Sequence, residues 1–177
     1  GGKLVDTKCI YKLQLNQNFE ILQLSDIPVQ SYNSDKLEPQ LLKLALQSGL
    51  YSRFKVDDNF LNELYEKLYN QWIINAINKT FDNEILVYYV ESVIAGMITL
   101  KYNHASGQIG LFAVDDNFRG KNIGYRLLLG VHKFLKNSNV NEITVVTQLQ
   151  NIPANNLYLK AGYKLTDKQN VYHFWII

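Results

Sequence analysis

Hydrophobic residues between positions 60 and 77 recur every three or four residues, which is the spacing of an amphipathic helix. The stripe consists of Phe60, Leu61, Leu64, Tyr65, Leu68, Trp72, Ile73, Ala76 and Ile77. Asp57, Asp58 or Asn59 offers a side chain suited to capping the N-terminus of this helix. Helical spacing alone accounts for the aromatic residues of the stripe, so we expect them mainly in the core, with one edge along a cleft.

The pattern upstream of this helix is less regular. Two β-compatible runs, Lys8–Leu15 and Phe19–Leu24, are separated by turn-forming residues 16–18. A further helix is predicted from Pro39 to Gly49, because proline is tolerated in a first helical turn and glycine is favoured just after a last one.

From Glu84 onward the hydrophobic pattern predicts strands. Three β-rich runs, Glu84–Val90, Val93–Lys101 and Gln108–Val114, are joined by short connections. Consecutive strands with such short links form an antiparallel meander.

Helices and strands then alternate to the end of the chain. An amphipathic helix begins near Ile123 and precedes a β-branched run at Ile143–Thr147, which the helical crossover places parallel to the strand ending at Val114. Pro153 and Gly162 bracket a short helix. The chain closes with a strand at 163–166, a polar turn from Asp167 to Asn170, and a strand at 171–177. The predicted fold class is α/β: a single domain, residues 1–177, with a mixed central sheet, an antiparallel meander and helices on both faces.

Composition and charge exclude several classes of function. Hydrophobic residues make up 47% of the chain and charged residues 19%, as in an ordinary globular protein. The formal charge of +2, without a dense basic cluster, argues against nucleic acid as a partner. We expect no membrane span, no secretory leader and a cytoplasmic location. Cys9 is the only cysteine and the three histidines are scattered, so we expect a buried thiol and no metal site.

The stretch between the third meander strand and the next helix carries the clearest chemical signal. Here an apolar strand, a glycine-bearing turn and a helix N-terminus follow one another, with the turn written R119-G-K-N-I-G124. Backbone N–H groups and the helix dipole at such a junction make a cradle for an anion. A Walker-type loop and a dinucleotide fingerprint are excluded, since neither GxxxxGK[ST] nor GxGxxG is present.

This turn resembles the acetyl-CoA loop of the GCN5-related N-acetyltransferases (the GNAT superfamily). The neighbouring VDDNFRG and the later N-x-P-A-x-x-L-Y-x-K-x-G-Y also match the superfamily, over the chain from Glu84 onward. In one respect the turn departs from the pattern, because Asn122 stands where a second glycine is usual. Asparagine tolerates a left-handed backbone better than other non-glycine residues, so the cradle is retained in our prediction.

The resemblance implies a role for each matching residue. Five backbone amides would face the pyrophosphate of coenzyme A, those of Arg119, Gly120, Asn122, Gly124 and Tyr125. The main chain of Phe112, Ala113 and Val114 would pair with the pantetheine arm like an added strand, and Asn151 would bond the same arm.

The resemblance also implies that Tyr158 is the catalytic acid, with its hydroxyl near the thioester sulfur; a buried core tyrosine is the alternative. A thiolate leaves more easily when a phenol donates a proton, and a backbone N–H near Val114 would polarise the carbonyl oxygen. The base that deprotonates the amine stays open among Glu84, Glu91, Asp115, the histidines and a water molecule.

A second resemblance rests on five segments from about Tyr51 onward: SRFKVDDNFLNELYEKLYNQWIINAI, TFDNEILV, IGLFAV, TQLQN and VYHFWI. Together they resemble the sugar-nucleotide acetyltransferases of the dTDP-fucosamine acetyltransferase type, which acetylate an aminodideoxyhexose. Arg53 then becomes a candidate contact for the nucleotide diphosphate, with an ion pair to Asp57 or Asp58 as the equal alternative. Gln148 and one member of the Tyr88–Tyr89 pair are candidate contacts for the sugar.

The predicted function is acetyl-CoA-dependent transfer of an acetyl group to the amine of a nucleotide-linked amino sugar, with residues about 84–177 binding coenzyme A and about 25–83 setting acceptor specificity. The alternatives are another amine (a protein, a polyamine or an aminoglycoside) and a non-catalytic acyl-CoA-binding module. The oligomeric state stays open, a homodimer included.

Overall fold

A seven-stranded mixed sheet forms the centre of the molecule, in the order β2-β3-β4-β5-β6-β1-β7. The computed structural model describes residues 1–15, 27–80 and 84–175. The strands are β1 (Lys3–Gln14), β2 (Val29–Ser31), β3 (Glu84–Val90), β4 (Val93–Tyr102), β5 (Ser106–Val114), β6 (Glu142–Gln148) and β7 (Lys164–His173). The helices are α1 (Pro39–Ser48), α2 (Arg53–Val56), α3 (Asn62–Ile77), α4 (Ile123–Asn137) and α5 (Ile152–Lys160), with a 3-10 helix at Asp116–Phe118.

The topology confirms the predicted α/β fold. Strands β3, β4 and β5 form the antiparallel meander, and β5 pairs in parallel with β6 after the crossover through α4. The predicted strand at Phe19–Leu24 lies outside the described residues.

Helices pack on both faces of this sheet, as predicted. On one face α1 and α3 bury residues such as Leu41, Leu44 and Ile73 against β3, β4 and β5. On the other face α4 and α5 bury residues such as Leu127 and Tyr158. The C-terminal part of the predicted 60–77 stripe therefore faces the core, whereas Leu61 and Leu64, which were expected there, are exposed.

Two local predictions were wrong. The expected turn from Asp167 to Asn170 lies inside β7, which pairs with β1 along its whole length, for example Asn170 with Thr7. Polar residues occupy this strand because it is an exposed sheet edge, where no alternation with the core is required. Helix α3 begins after Leu61, and Asp57 does not cap it.

Asp57 is instead buried, and it binds two residues at and just after the end of β7. Its carboxylate accepts hydrogen bonds from Nδ1 of His173 at 2.6 Å and Nε1 of Trp175 at 3.2 Å. The bond from His173, with others from Asn59 and Trp175, outweighs burial and lowers the pKa of Asp57 to about 2. His173 and Asp57 therefore have a structural explanation outside any catalytic role.

Candidate active site

Strands β5 and β6 pair over only part of their length, and a cleft opens where they separate. Their parallel pairing runs from Ser106 opposite Glu142 to Ile109 opposite Val145. Beyond this point lies a cleft of about 690 Å³, lined by residues 110–114 of β5 and 146–148 of β6. An extended ligand can add there as a strand, because the facing backbone edge of β5 is not covered by β6.

A bulge on the other edge of β5 accompanies this separation. The register between β4 and β5 shifts between Ile98 and Leu100. The hydroxyl of Thr99, which is fully buried, accepts the backbone N–H of Leu111 at 2.8 Å. Bulges bend a strand and increase its twist, so this one helps to turn β5 away from β6.

The anion cradle predicted from the sequence lies at the end of the cleft. Gly120 and Asn122 both have left-handed backbones, with φ of +77° and +60°. Asn122 precedes the first turn of α4 and makes no side-chain cap to it. The amides of that first turn have no acceptor within the helix, so the N-terminus of α4 can receive an anion.

Gly124 allows a close approach at the start of α4. A Cβ atom there would lie 3.1 Å from Cδ2 of Leu157 and 3.6 Å from the ring of Phe112. The glycine thus brings the first turn of α4 against β5 and α5, and so places the cradle next to the opening between the strands.

Asp115 fixes the junction between β5 and the cradle. Its buried carboxylate accepts hydrogen bonds from Gln40 at 2.5 Å, Lys43 at 2.8 Å and the Asn117 amide at 2.9 Å. Burial alone would raise the pKa of Asp115, but the hydrogen bonds, led by that from Lys43, hold it well below the usual range. Such a carboxylate is a poor base, so the structure argues against Asp115 as the base.

Tyr158 lies on α5, in the wall of the cleft formed with Phe112. The residue is 3% exposed, and burial raises the pKa of its phenol well above the ordinary value of 10. The hydroxyl is therefore protonated at neutral pH, which is the state a proton donor requires.

Gln148, at the end of β6, and Asn151, in the turn that follows, both line the cleft. Oδ1 of Asn151 accepts the Ala154 amide at 3.3 Å and so caps α5, while its Nδ2 donates to Thr147. Asn155, which sequence reasoning missed, donates from Nδ2 to the carbonyls of Gln148 and Asn151 and accepts from the Tyr11 hydroxyl at 2.7 Å. These bonds fix the two predicted site residues in the cleft wall.

All of the predicted coenzyme-contacting residues line this one cleft, although they come from four segments of the chain. They are Phe112, Ala113, Val114, Arg119, Gly120, Asn122, Gly124, Tyr125 and Asn151. The predicted catalytic acid Tyr158 and the predicted sugar contact Gln148 line the same cleft.

Arg53 does not lie among the lining residues of the cleft. Its guanidinium lies over the ring of Phe54, 4.3 Å from the centroid, and close enough to Asp6 to oppose the rise that burial causes in the pKa of that carboxyl. Of the tyrosine pair, Tyr88 faces the α4 side, where its hydroxyl accepts from Arg126 at 3.0 Å. Tyr89 packs on the side of α1 and α3.

The sequence did not predict which residues form one wall of the cleft. It is formed by α1, the turn after it and α3, through Gln47, Ser48, Leu50, Tyr51, Tyr69 and Trp72. The aromatic stripe of α3 gave the only signal for it, since one edge of that stripe was expected along a cleft.

No cluster of three or more His, Cys, Asp or Glu side chains suited to a metal ion was found in the described ranges. Within the same ranges, no helix is both long and apolar enough to span a membrane.

Comparison with known proteins gives three curated relatives of low identity. Spore coat polysaccharide biosynthesis protein SpsD of Bacillus subtilis is 25% identical over 76% of this chain, dTDP-fucosamine acetyltransferase of Escherichia coli O6:H1 is 29% identical over 70%, and spermidine N(1)-acetyltransferase of Thermoplasma acidophilum is 27% identical over 68%. The aligned parts cover 46%, 53% and 74% of those proteins. The chain thus spans about half the length of the two sugar-related relatives.

A solved structure shows the same fold. The GNAT family acetyltransferase from Elizabethkingia anophelis with acetyl-CoA bound has a TM-score of 0.58 at 20% identity, covering 78% of this chain and 76% of its own. The model of the acetyltransferase (GNAT) family matches residues 41–163, which include the cradle, the diverging strands and Tyr158. The chain therefore belongs to the acetyltransferase (GNAT) family.

Proposed function

We propose that the protein is an acetyl-CoA-dependent N-acetyltransferase that transfers the acetyl group directly to the amine of a nucleotide-linked amino sugar. The observation that carries the proposal is the cleft itself. It joins an anion cradle at the start of α4, a free strand edge on β5 and a protonated phenol on α5. Acetyl-CoA combines a pyrophosphate, an extended amide-containing arm and a thioester, and so matches these three features.

The fit of the cradle to a pyrophosphate rests on its backbone. Gly120 has no heavy atom within 4 Å of the position that a Cβ would occupy, so an anion can approach its main chain closely. The left-handed conformation of Asn122 lets the chain turn into the helix where the family usually has glycine. The amides of Gly124 and Tyr125 then add the partial positive charge of the helix N-terminus.

The chain supplies the remaining groups for acyl transfer. Acetyl-CoA brings the acetyl group as a thioester. Backbone amides of β5 near Val114 hold and polarise the carbonyl oxygen, and Tyr158 donates its hydroxyl proton to the departing sulfur. The amine must arrive as the neutral species; water in the open cleft is our candidate to take its proton, since Asp115 is already fully bonded.

The charge of the cleft favours a sugar nucleotide over a polyamine as the acceptor. Among the described residues that line it there is no aspartate or glutamate, and its charged residue, Arg119, belongs to the anion cradle. A polycation such as spermidine is normally recognised by acidic side chains, while a diphosphate is compatible with a neutral or basic wall. The two relatives named for polysaccharide biosynthesis and for dTDP-fucosamine point the same way.

A thiol-release assay with acetyl-CoA tests the proposal directly. The acceptors are dTDP-4-amino-4,6-dideoxygalactose, spermidine, an aminoglycoside and a peptide with a free N-terminus. We expect kcat/KM for the sugar nucleotide to exceed that for every other amine by at least tenfold. Equal or higher kcat/KM for spermidine would replace the sugar nucleotide by a polyamine, and binding of coenzyme A without acetylation of any amine would favour a binding module.

A further inference from the structure

Gln47 occupies a defined place on the face of α1 that packs on β5. Gln40 and Lys43, on the same face, bond Asp115 at the end of β5. Gln47 lies seven residues after Gln40, or about 10 Å along the helix axis, which is the length of about three strand residues. It therefore reaches the cleft beside the unpaired part of β5, and it is one of the residues lining that cleft.

The side-chain carbonyl of Gln47 lacks a donor. Its Oε1 is buried and has no hydrogen-bond partner within the described part of the chain. Buried polar atoms are nearly always paired in folded proteins, so an unpaired acceptor oxygen in the wall of a cleft suggests a ligand that donates a hydrogen bond to it.

Gln47 and Tyr158 approach the cleft from opposite faces of the sheet. Helix α1, which carries Gln47, belongs to the layer with α3, whereas Tyr158 belongs to the layer with α4. In an acyl transfer the amine attacks a face of the planar thioester and the thiol leaves from within that plane, so the two groups need separate protein contacts. A group that donates hydrogen bonds to Gln47 would thus lie across the cleft from Tyr158, the proposed proton donor to the departing sulfur.

We propose that Gln47 accepts a hydrogen bond from the N–H of the acceptor amine and positions this amine for attack. The assignment rests on the proposed N-acetyltransferase function and adds a specificity residue to it. A primary amine keeps an N–H to donate whether it is neutral or protonated, and its lone pair stays free for the carbonyl carbon once the proton has left. No group of the coenzyme is required to reach Gln47.

Two substitutions separate an acceptor role from simple filling of space. Gln47→Leu removes the carbonyl, while Gln47→Glu keeps the length of the side chain and leaves only acceptor oxygens. With dTDP-4-amino-4,6-dideoxygalactose, and with spermidine if it is acetylated, we expect Gln47→Leu to raise KM for the amine at least tenfold. The KM for acetyl-CoA should stay within twofold, and Gln47→Glu should keep the KM for the amine within threefold of wild type.

Gln71→Leu is the matched control, because Gln71 is exposed on α3 and bonds only Asn75 among the described residues. It should leave both KM values unchanged. If Gln47→Leu melts well below wild type, Gln47→Met, which matches the length of glutamine, replaces it with the same expectation.

Several results would overturn the assignment. An unchanged amine KM in Gln47→Leu would remove Gln47 from amine binding, and an equal loss in Gln47→Glu would mean that the site needs an N–H donor. Calorimetric titration of both amines into the protein saturated with coenzyme A tests binding apart from turnover. Wild-type binding that persists in Gln47→Leu refutes only this assignment, whereas no wild-type binding of either amine refutes the assignment and the sugar-nucleotide proposal together.

Discussion

Replacing Tyr158 by phenylalanine removes one hydroxyl from the wall of the cleft and leaves the ring in place. The ring packs at tilted angles against Tyr11, Phe112 and Tyr163, with centroids 5.6, 6.2 and 5.7 Å away. Within the described ranges the hydroxyl makes no hydrogen bond that its loss would break. The free energy of unfolding should therefore change by less than about 1 kcal/mol.

The effect on turnover should be far larger. Donation of a proton by a positioned side chain is worth about 10²–10⁴-fold, which corresponds to about 3–5 kcal/mol of barrier at 1.36 kcal/mol per factor of ten. We expect kcat of Tyr158→Phe to fall at least a hundredfold at saturating acetyl-CoA and amine. The Kd for coenzyme A should stay within twofold, because the contacts that we propose for the ligand, in the cradle and on β5, do not involve this hydroxyl.

Steady-state thiol release, calorimetric titration of coenzyme A and urea unfolding measure these three quantities. Tyr172→Phe is the control, since Tyr172 lies half-exposed on β7, outside the cleft. A kcat within threefold of wild type would refute Tyr158 as the acid. Because burial raises the pKa of Tyr158 above 10, loss of its proton should not reduce kcat between pH 7 and 9.

Two substitutions and one change of pH give three further tests. Asn122→Ala should lower the free energy of unfolding by about 1 kcal/mol and weaken coenzyme A binding, since alanine tolerates φ of +60° less well than asparagine. Asn122→Gly should keep the affinity for coenzyme A, and titration calorimetry measures the affinity of both variants. Asp115→Asn should lower the free energy of unfolding by about 2 kcal/mol in urea titrations, because the charged bond from Lys43 is lost. Burial lowers the pKa of His132 to about 4 in the folded protein, so the unfolded chain gains a proton first as the pH falls. Stability measured in urea should therefore decrease between pH 6.5 and 4, by up to about 3 kcal/mol.

The residues that we propose for coenzyme binding could be named from the sequence, and the structure brings them to one cleft, because the elements that carry them are local. The turn from Arg119 to Gly124 and the run from Asn151 to Tyr158 are each continuous in the sequence. In the structure each leads into the helix that its residues predict. The strand Glu84–Val90 was predicted with its exact limits, since its apolar run ends at a clear turn.

The remaining features depend on contacts between distant parts of the chain. Asp57 has the residue type and position of a helix cap, but it bonds His173, 116 residues away. The polar strand β7 exists because β1 pairs with it, and its own sequence indicates a turn. The wall with Gln47 and Trp72 arises only when α1 and α3 pack together on one face of the sheet, and the stripe of α3 alone does not specify this arrangement.

The separation of β5 from β6 also makes the sheet a divided structure. Only Ser106–Ile109 of β5 bonds to β6, so the half with β2–β5 and the half with β6, β1 and β7 are joined by a short ladder. A ligand that occupies the gap completes the missing ladder and ties the halves together. Its binding energy should thus appear as resistance to unfolding, rising as RT ln(1 + [L]/Kd), about 2.7 kcal/mol at a hundred times Kd. Amide hydrogen exchange at Phe112–Val114 should slow as the ligand binds, and it would show which residues of β5 bond the ligand.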